Sequence, residues 1–318
     1  MHPLIESAIA GDVRALGKVL SEIEDGATDL SELLAGIPSG AGSKIGNAQV
    51  IGITGPPGVG KSTTTGALIT EYRKQNLRVA VLAVDPSSPV TGGALLGDRI
   101  RMQEHALDEG VFIRSMSSRG QLGGLSSATQ AAAKILDAVG FDIVIVETVG
   151  VGQSEVDVVN AVDTVILVLA PGAGDGIQAA KAGILEIADL YVVNKADREG
   201  AEGVVRELRS MLGLGVSDSA GWSPEIVTTT ATNGLGIPEL VTAISNHRTW
   251  AIASGSRDLR VAHRAKTGLR RAVLTALSDQ IELHSARIDE LSAQVASGNL
   301  STDEAVTSIL RELGISKH

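Results

Sequence analysis

The chain has 318 residues, of which 43% are hydrophobic and only 2% aromatic, and it carries a formal net charge of −10. This composition supports a large core of Val, Ile, Leu and Ala, suited to buried parallel strands flanked by alanine-rich helices. The acidic balance argues against a nucleic-acid surface, and the lack of cysteine excludes disulfides and cysteine-ligated zinc or iron–sulfur sites.

From residue 1 to about 36, Leu4, Ile5, Ile9, Val13, Leu16, Val19, Leu20 and Ile23 recur at three- and four-residue spacing, which predicts helix. The opening segment lacks a basic stretch followed by an apolar core, and no apolar run approaches the roughly 20 residues that span a bilayer. A cytoplasmic protein without a membrane segment is expected. Residues 36–46, GIPSGAGSKIG, read as a linker. From about residue 48 to 247, short apolar runs alternate with helical patterns. The predicted strands are Val50–Thr54, Val79–Val84, Val111–Arg114, Ile143–Val146, Val165–Leu169, Leu190–Val193 and Ile226–Thr230. The predicted helices are Lys61–Lys74, Ser126–Val139, Gly176–Ile187, Ala201–Met211 and Ile237–Asn246. Val/Ile runs without polar alternation belong to strands covered on both faces, and alternating βα units imply an α/β fold with a doubly wound, mostly parallel sheet. Beyond about residue 256 the chain reads as helical again, with Ser301 and Glu304 spaced as a capping box and Gly298 suited to end the preceding helix. Three regions result: an N-terminal helical extension and linker over 1–43, an α/β domain over 44–250 and a C-terminal helical arm over 251–318.

Ligands of such sheets bind beyond the carboxyl ends of the strands, and every chemistry-bearing motif falls there. Residues 50–64, VIGITGPPGVGKSTT, hold the pattern G-x-x-x-x-G-K-[ST] as Gly55, Gly60, Lys61 and Ser62, between an apolar run and a helical stretch. In a loop of this kind backbone N–H groups turn inward to a phosphate, and glycine permits both the close approach and positive φ angles. The helix that follows adds its positive dipole end. Lys61 is placed to reach the β- and γ-phosphates, and the Ser62 hydroxyl to bind Mg²⁺. Residues 194–197, NKAD, close a predicted strand. A carboxylate at Asp197 accepts from guanine N1–H and the exocyclic amine, whereas adenine leaves it unpaired at a cost of about 1–3 kcal/mol. Asn194 would contact the base and tie its loop to the phosphate loop, and the stem of Lys195 would cover the ring. In 141–157, FDIVIVETVGVGQSEVD, Glu147 ends an apolar run as a candidate Mg²⁺ carboxylate, and Gly150 is free enough for its N–H to meet a γ-phosphate. Asp85 ends a strand and Asp98 follows in a Gly-flanked turn. Either one is a candidate for the Mg²⁺ shell or for positioning the attacking water, with a plain turn residue as the alternative.

Taken together, GPPGVGKST (55–63), VDPSSP with the TGG and LGD that follow (84–98), VETVGVGQSEVD (146–157), PGAGDGIQ (171–178) and NKAD resemble one group of proteins. These are the auxiliary GTPases of adenosylcobalamin-dependent methylmalonyl-CoA mutase, the MeaB/ArgK type, within the SIMIBI class of P-loop G proteins. The resemblance spans nearly the whole chain. It implies GTP and GDP as ligands, Mg²⁺, hydrolysis of GTP to GDP and phosphate, a homodimer, and an adenosylcobalamin-dependent acyl-CoA mutase as partner, whose cofactor loading is gated and which is guarded against inactivation. Carried over by position, Gly55, Pro56, Pro57, Gly58, Val59, Gly60, Lys61, Ser62 and Thr63 would hold the phosphates. Ser62, Asp85, Asp98 and Glu147 would form the Mg²⁺ and catalytic neighbourhood, and Asn194, Lys195 and Asp197 would read guanine. Thr230, Ala231 and Thr232 stand where the second base-contacting loop, Ser-Ala-x, is expected, with Thr in place of Ser. The segment from Pro171 to Lys181 matches a switch that communicates with the mutase. Small signalling GTPases carry a water-positioning Gln directly after the switch glycine, but here Val151 follows Gly150. A valine cannot orient water, so slow intrinsic hydrolysis is expected, with Gln153, Asp98 or Lys181 as candidates for the missing help. Arg99, Arg101, Arg114 and Arg119 qualify as finger residues by type, although solvated surface arginines are the better reading.

Two other readings compete. An ATP-using transport kinase would not need the guanine-reading carboxylate of Asp197. A metal-delivery GTPase needs close Cys or His ligands, whereas the six histidines (His2, His105, His247, His263, His284 and His318) are scattered.

Overall fold

The computed structural model describes residues 1–25, 28, 30–37, 47–85, 104–105, 107–117, 127–148, 161–172, 185, 187–213 and 221–314. Within residues 1–36 the apolar periodicity produces three helices, α1 (Pro3–Ile9), α2 (Val13–Asp25) and α3 (Leu30–Leu34), rather than one. The break between the first two has a local cause. Gly11 takes φ 100, and the Asp12 carboxylate accepts from the N–H groups of Arg14 (2.8 Å) and Ala15 (3.1 Å), capping the new helix.

Seven strands follow: β1 (Gln49–Thr54), β2 (Val79–Asp85), β3 (Val111–Ser117), β4 (Ile143–Thr148), β5 (Thr164–Leu169), β6 (Leu190–Val193) and β7 (Glu225–Thr228). They form one sheet in the order β3-β2-β4-β1-β5-β6-β7, every pair parallel. β1 is central, flanked by β4 and β5, so the chain leaves it toward β2 and β3 and later crosses to β5, β6 and β7. The carboxyl end of β1 therefore faces the place where ligands bind in doubly wound sheets. Between the strands run α4 (Lys61–Lys74), α5 (Ser127–Ala138) and α6 (Ala201–Gly213), and α7 (Ile237–Ala253) follows β7. The predicted helix at Gly176–Ile187 lies outside the described residues except for Leu185 and Ile187. The last predicted strand ends two residues early: Thr230 instead makes an isolated bridge to Leu235.

The strands β4 and β5 are buried along their whole length, as their unbroken Val/Ile runs require. Successive side chains go to opposite faces. Ala80, Leu82, Val84, Val144 and Val146 share a core with Leu16, Val19 and Leu20 of α2 and with Ile135 and Leu136 of α5. Val79, Val81, Ile143 and Ile145 belong to the other core, with Leu68, Ile69 and Tyr72 of α4 and Leu240 and Ile244 of α7. By this alternation Glu147 falls on the α4 face. Arg114 is absorbed by the first core's rim. Its guanidinium donates to the Gly17 carbonyl (3.0 Å) and pairs with Glu24, which is a structural use rather than that of a catalytic finger.

At the amino ends of β5 and β6 lies a buried polar knot. The Asp189 carboxylate accepts from the Val165 N–H (2.8 Å) and from both terminal nitrogens of Arg260 (2.8 and 2.5 Å), with His247 Nε2 at 3.3 Å. Burial alone would raise its pKa. The His247 and Arg260 partners outweigh burial and hold the carboxyl below its ordinary value.

The chain divides into two compact units, Met1–Arg260 and Val261–His318. The C-terminal helices are α8 (Ser256–Leu283), α9 (Ser285–Ala296) and α10 (Thr302–Glu312). Gly298 takes φ 75 after α9, and Ser301 and Glu304 form the capping box that opens α10. Among the described residues no helix is long and apolar enough to cross a membrane.

Candidate nucleotide site

The loop from Gly55 to Gly60 joins β1 to α4. Gly55, Gly58 and Gly60 take φ of 140, 77 and 98, a region costly for any residue with a Cβ. Space forbids one as well: a Cβ on Gly55 would sit 2.1 Å from the Val168 carbonyl oxygen, and one on Gly60 would sit 2.3 Å from Asn194 Nδ2. Pro57 and Gly58 are exposed at the tip, while Val59 is buried in the core shared with Ala231 and Ile237. Lys61 folds back along the loop, its Nζ donating to the carbonyls of Gly55 (2.6 Å) and Pro56 (3.0 Å). A cation is thus held beside a helix N-terminus and a glycine cradle, which together suit an anion of several charges. Thr63 is exposed and, with Ser62, Gly66, Thr70, Ala231 and Thr232, lines a cavity of about 740 Å³.

Behind the loop Glu147 is only 3% exposed. Its register opposite Ile53 places it one residue short of the end of β1. Ser62 Oγ donates to its Oε1 (2.6 Å) and Thr65 Oγ1 to its Oε2 (2.8 Å). Hard oxygen atoms on Ser62 and Glu147, beside a phosphate cradle, are a donor set that fits Mg²⁺. Asp85 is the last residue of β2, its backbone paired with Ser117, and β2 lies directly beside β4. The carboxyl ends carrying Asp85, Glu147 and the loop are therefore neighbours.

On the other side, Asn194 straps three segments together. Its Nδ2 donates to the Val59 carbonyl (2.9 Å), and its Oδ1 accepts from Ala231 N (3.1 Å) and Thr229 Oγ1 (3.2 Å). Lys195 sits at φ 57 and its Nζ donates to the Gly58 carbonyl (2.6 Å), so its stem spans from the NKAD turn to the phosphate loop. The Asp197 carboxylate is exposed on this turn. Thr230 and Ala231 are buried and Thr232 is exposed toward the cavity.

The folded chain therefore brings together the loop, Glu147, Asn194, Lys195, Asp197 and the Thr230–Thr232 segment. Asp98, Gly150, Gln153 and Lys181 lie outside the described residues, as do Arg99, Arg101 and Arg119. Two residues of the site escape a motif-based reading, Thr65 and Thr229. The available signal for Thr65 was its position three after Ser62 on a helix; for Thr229 it was its place just before the expected base-contacting loop.

The family model for the methylmalonyl Co-A mutase-associated GTPase MeaB matches residues 14–286. A Pyrococcus horikoshii protein that bears a GTPase's name is 45% identical over 98% of this chain and 97% of its own. "GTPase ArgK" of Escherichia coli is 43% identical over 66% of this chain and 64% of its own. The solved structure of an LAO/AO transport system kinase superposes with a TM-score of 0.70 at 27% identity, covering 98% of this chain and 96% of that one. The family is one of GTPases by name. By sequence match and by fold alike, this chain belongs to the methylmalonyl Co-A mutase-associated GTPase MeaB family.

Proposed function

We propose that the chain binds GTP with Mg²⁺ at the Gly55–Thr63 loop and uses hydrolysis to GDP and phosphate as a switch on adenosylcobalamin-dependent methylmalonyl-CoA mutase, gating cofactor loading and protecting that enzyme. The observation that carries the nucleotide part is the Asn194 strap, which couples the base-reading turn to the phosphate loop through Val59 and Ala231. Asp197 selects guanine, and the aliphatic stem of Lys195 covers the ring. The Lys61 ammonium exchanges its loop carbonyls for β- and γ-phosphate oxygens and stabilises the charge that builds as the γ-phosphoryl leaves. Ser62 and Glu147 hold the metal, with Asp85 or Asp98 completing its shell; when bound, it neutralises phosphate charge. Gly150 offers its N–H to the γ-phosphate, and its loss of that contact on hydrolysis is the switch event. With Val151 after it, water positioning falls to Gln153, Asp98 or Lys181, and turnover is slow. In this reading 1–43 is a helical extension, 44–250 the catalytic domain and 251–318 an arm. The working unit is a cytoplasmic homodimer.

The test is a titration of the full chain against adenosylcobalamin-dependent methylmalonyl-CoA mutase with GDP and with a non-hydrolysable GTP analogue, K61A serving as control. The expected result is an affinity that differs between the two nucleotides for the parent and not for K61A. Equal affinity for the parent in both nucleotide states would refute the switch.

A further inference from the structure

We infer that Thr65 is a positioning residue of this site: its hydroxyl orients the Glu147 carboxylate so that Ser62 presents its oxygen to the divalent cation that accompanies the nucleotide. The inference rests on the reading of Ser62 and Glu147 as the metal's residues. Ser62 and Thr65 are three residues apart, hence on one face of α4, and that face continues as Leu68, Ile69 and Tyr72, all buried. Where the stripe crosses Glu147 it carries two hydroxyls aimed at that carboxylate, those of Ser62 and Thr65. A valine would suit such packing, so the buried hydroxyl of Thr65, 0% exposed, needs its own reason. Two acceptors lie within reach of its single proton, the Lys61 carbonyl at 3.1 Å and Glu147 Oε2 at 2.8 Å, and the nearer and charged one, Glu147, takes it.

The chemistry follows from counting protons and lone pairs. A hydroxyl has one proton and two acceptor lone pairs. Ser62 spends its proton on Glu147 Oε1 at 2.6 Å, which turns its lone pairs away from the carboxylate and toward a cation. A carboxylate gripped at one oxygen still swings about its broad terminal torsion. The Thr65 bond holds the second oxygen. The β-branched side chain of Thr65 is itself stiff at χ1, which keeps that hydroxyl in place. Thr65 thus acts through Glu147 and Ser62, never touching the nucleotide.

The experiment follows release of a fluorescent N-methylanthraniloyl-GDP from the full chain as free Mg²⁺ is varied. T65V is expected to raise the Mg²⁺ concentration that half-suppresses release by about 10- to 100-fold, the usual cost of losing a partner behind a metal ligand. Its release rate in excess chelator should match the parent, and T65S, which keeps the hydroxyl, should restore the parent midpoint. A parent-like midpoint in T65V, with a shifted one in S62A, would overturn the role of Thr65 and leave the metal reading standing. Absence of any Mg²⁺ dependence in the parent would instead bring down the metal reading and this inference with it. Should T65V lose its fold by circular dichroism, T65A replaces it. If neither folds while T65S does, the hydroxyl serves the fold and the inference is overturned.

Discussion

Replacing Asn194 by Ala tests the joint on which the nucleotide reading depends. Asn194 is 3% exposed, and its amide closes three hydrogen bonds. Removal strands the Val59 carbonyl and the Ala231 N–H without partners, whereas the Thr229 hydroxyl can rotate to another. Each stranded buried group costs about 1–3 kcal/mol, and the two share one cavity, so a total of about 2–4 kcal/mol is expected rather than a full sum. At about 2–4 °C per kcal/mol the melting temperature of the Met1–Arg260 unit falls by about 4–16 °C. Half of that energy felt as a displaced phosphate loop weakens GDP binding by about 5- to 30-fold, since about 1.4 kcal/mol is one decade. The assays are thermal melting with and without nucleotide, and a fluorescence titration with labelled GDP. N194D is a sharper probe, because it keeps the shape but sets a carboxylate oxygen against the Val59 carbonyl; it should be at least as damaging as N194A. Parent-like melting together with parent-like GDP affinity in both variants would refute the strap.

Two further outcomes are expected. Asp197→Asn should weaken GDP binding and shift preference toward xanthine nucleotides, read by competition titration; an unaltered preference would remove Asp197 from base reading. Asp189→Asn tests the knot below the sheet. A carboxyl held below its ordinary value contributes stability above about pH 4, and that contribution is lost as acid titrates it through the folded value. D189N should therefore melt well below the parent at about pH 7, with the gap narrowing below about pH 4. A gap that stays constant into acid would contradict the direction of the shift.

Much of this fold was legible from periodicity. The Val/Ile runs at β4 and β5 read as strands covered on both faces, because they are short, β-branched and without polar alternation. The glycine spacing from Gly55 to Gly60 announced a phosphate loop because the positive φ angles and the 2.1 and 2.3 Å approaches leave no room for another residue type. Less legible was the first helical stretch. Its apolar spacing runs past Gly11, and the left-handed glycine together with the Asp12 cap decides that it breaks. The edge strand β7 was over-extended because Thr229 and Thr230 have strand-forming side chains, but the Thr229 carbonyl accepts from Ala196 N in the NKAD turn and Thr230 N donates to the Leu235 carbonyl.

What the sequence determined by itself is the set of residues that nucleotide chemistry requires, since these are local strings whose backbone geometry needs glycine, lysine or a carboxylate at set spacing. What only tertiary structure decided is how those strings meet. Strand order put β4 next to β1, side-chain alternation turned Glu147 to the α4 face, and helical spacing then set Ser62 and Thr65 on its two oxygens. The same holds for Arg114, a surface arginine by composition that folding ties to Glu24 and the α2 backbone. Contacts between residues some 80 to 140 positions apart, such as Thr65 with Glu147 and Asn194 with Val59, leave no mark on local periodicity. They exist because loop closure was offset by a shared core, which only the packed sheet supplies.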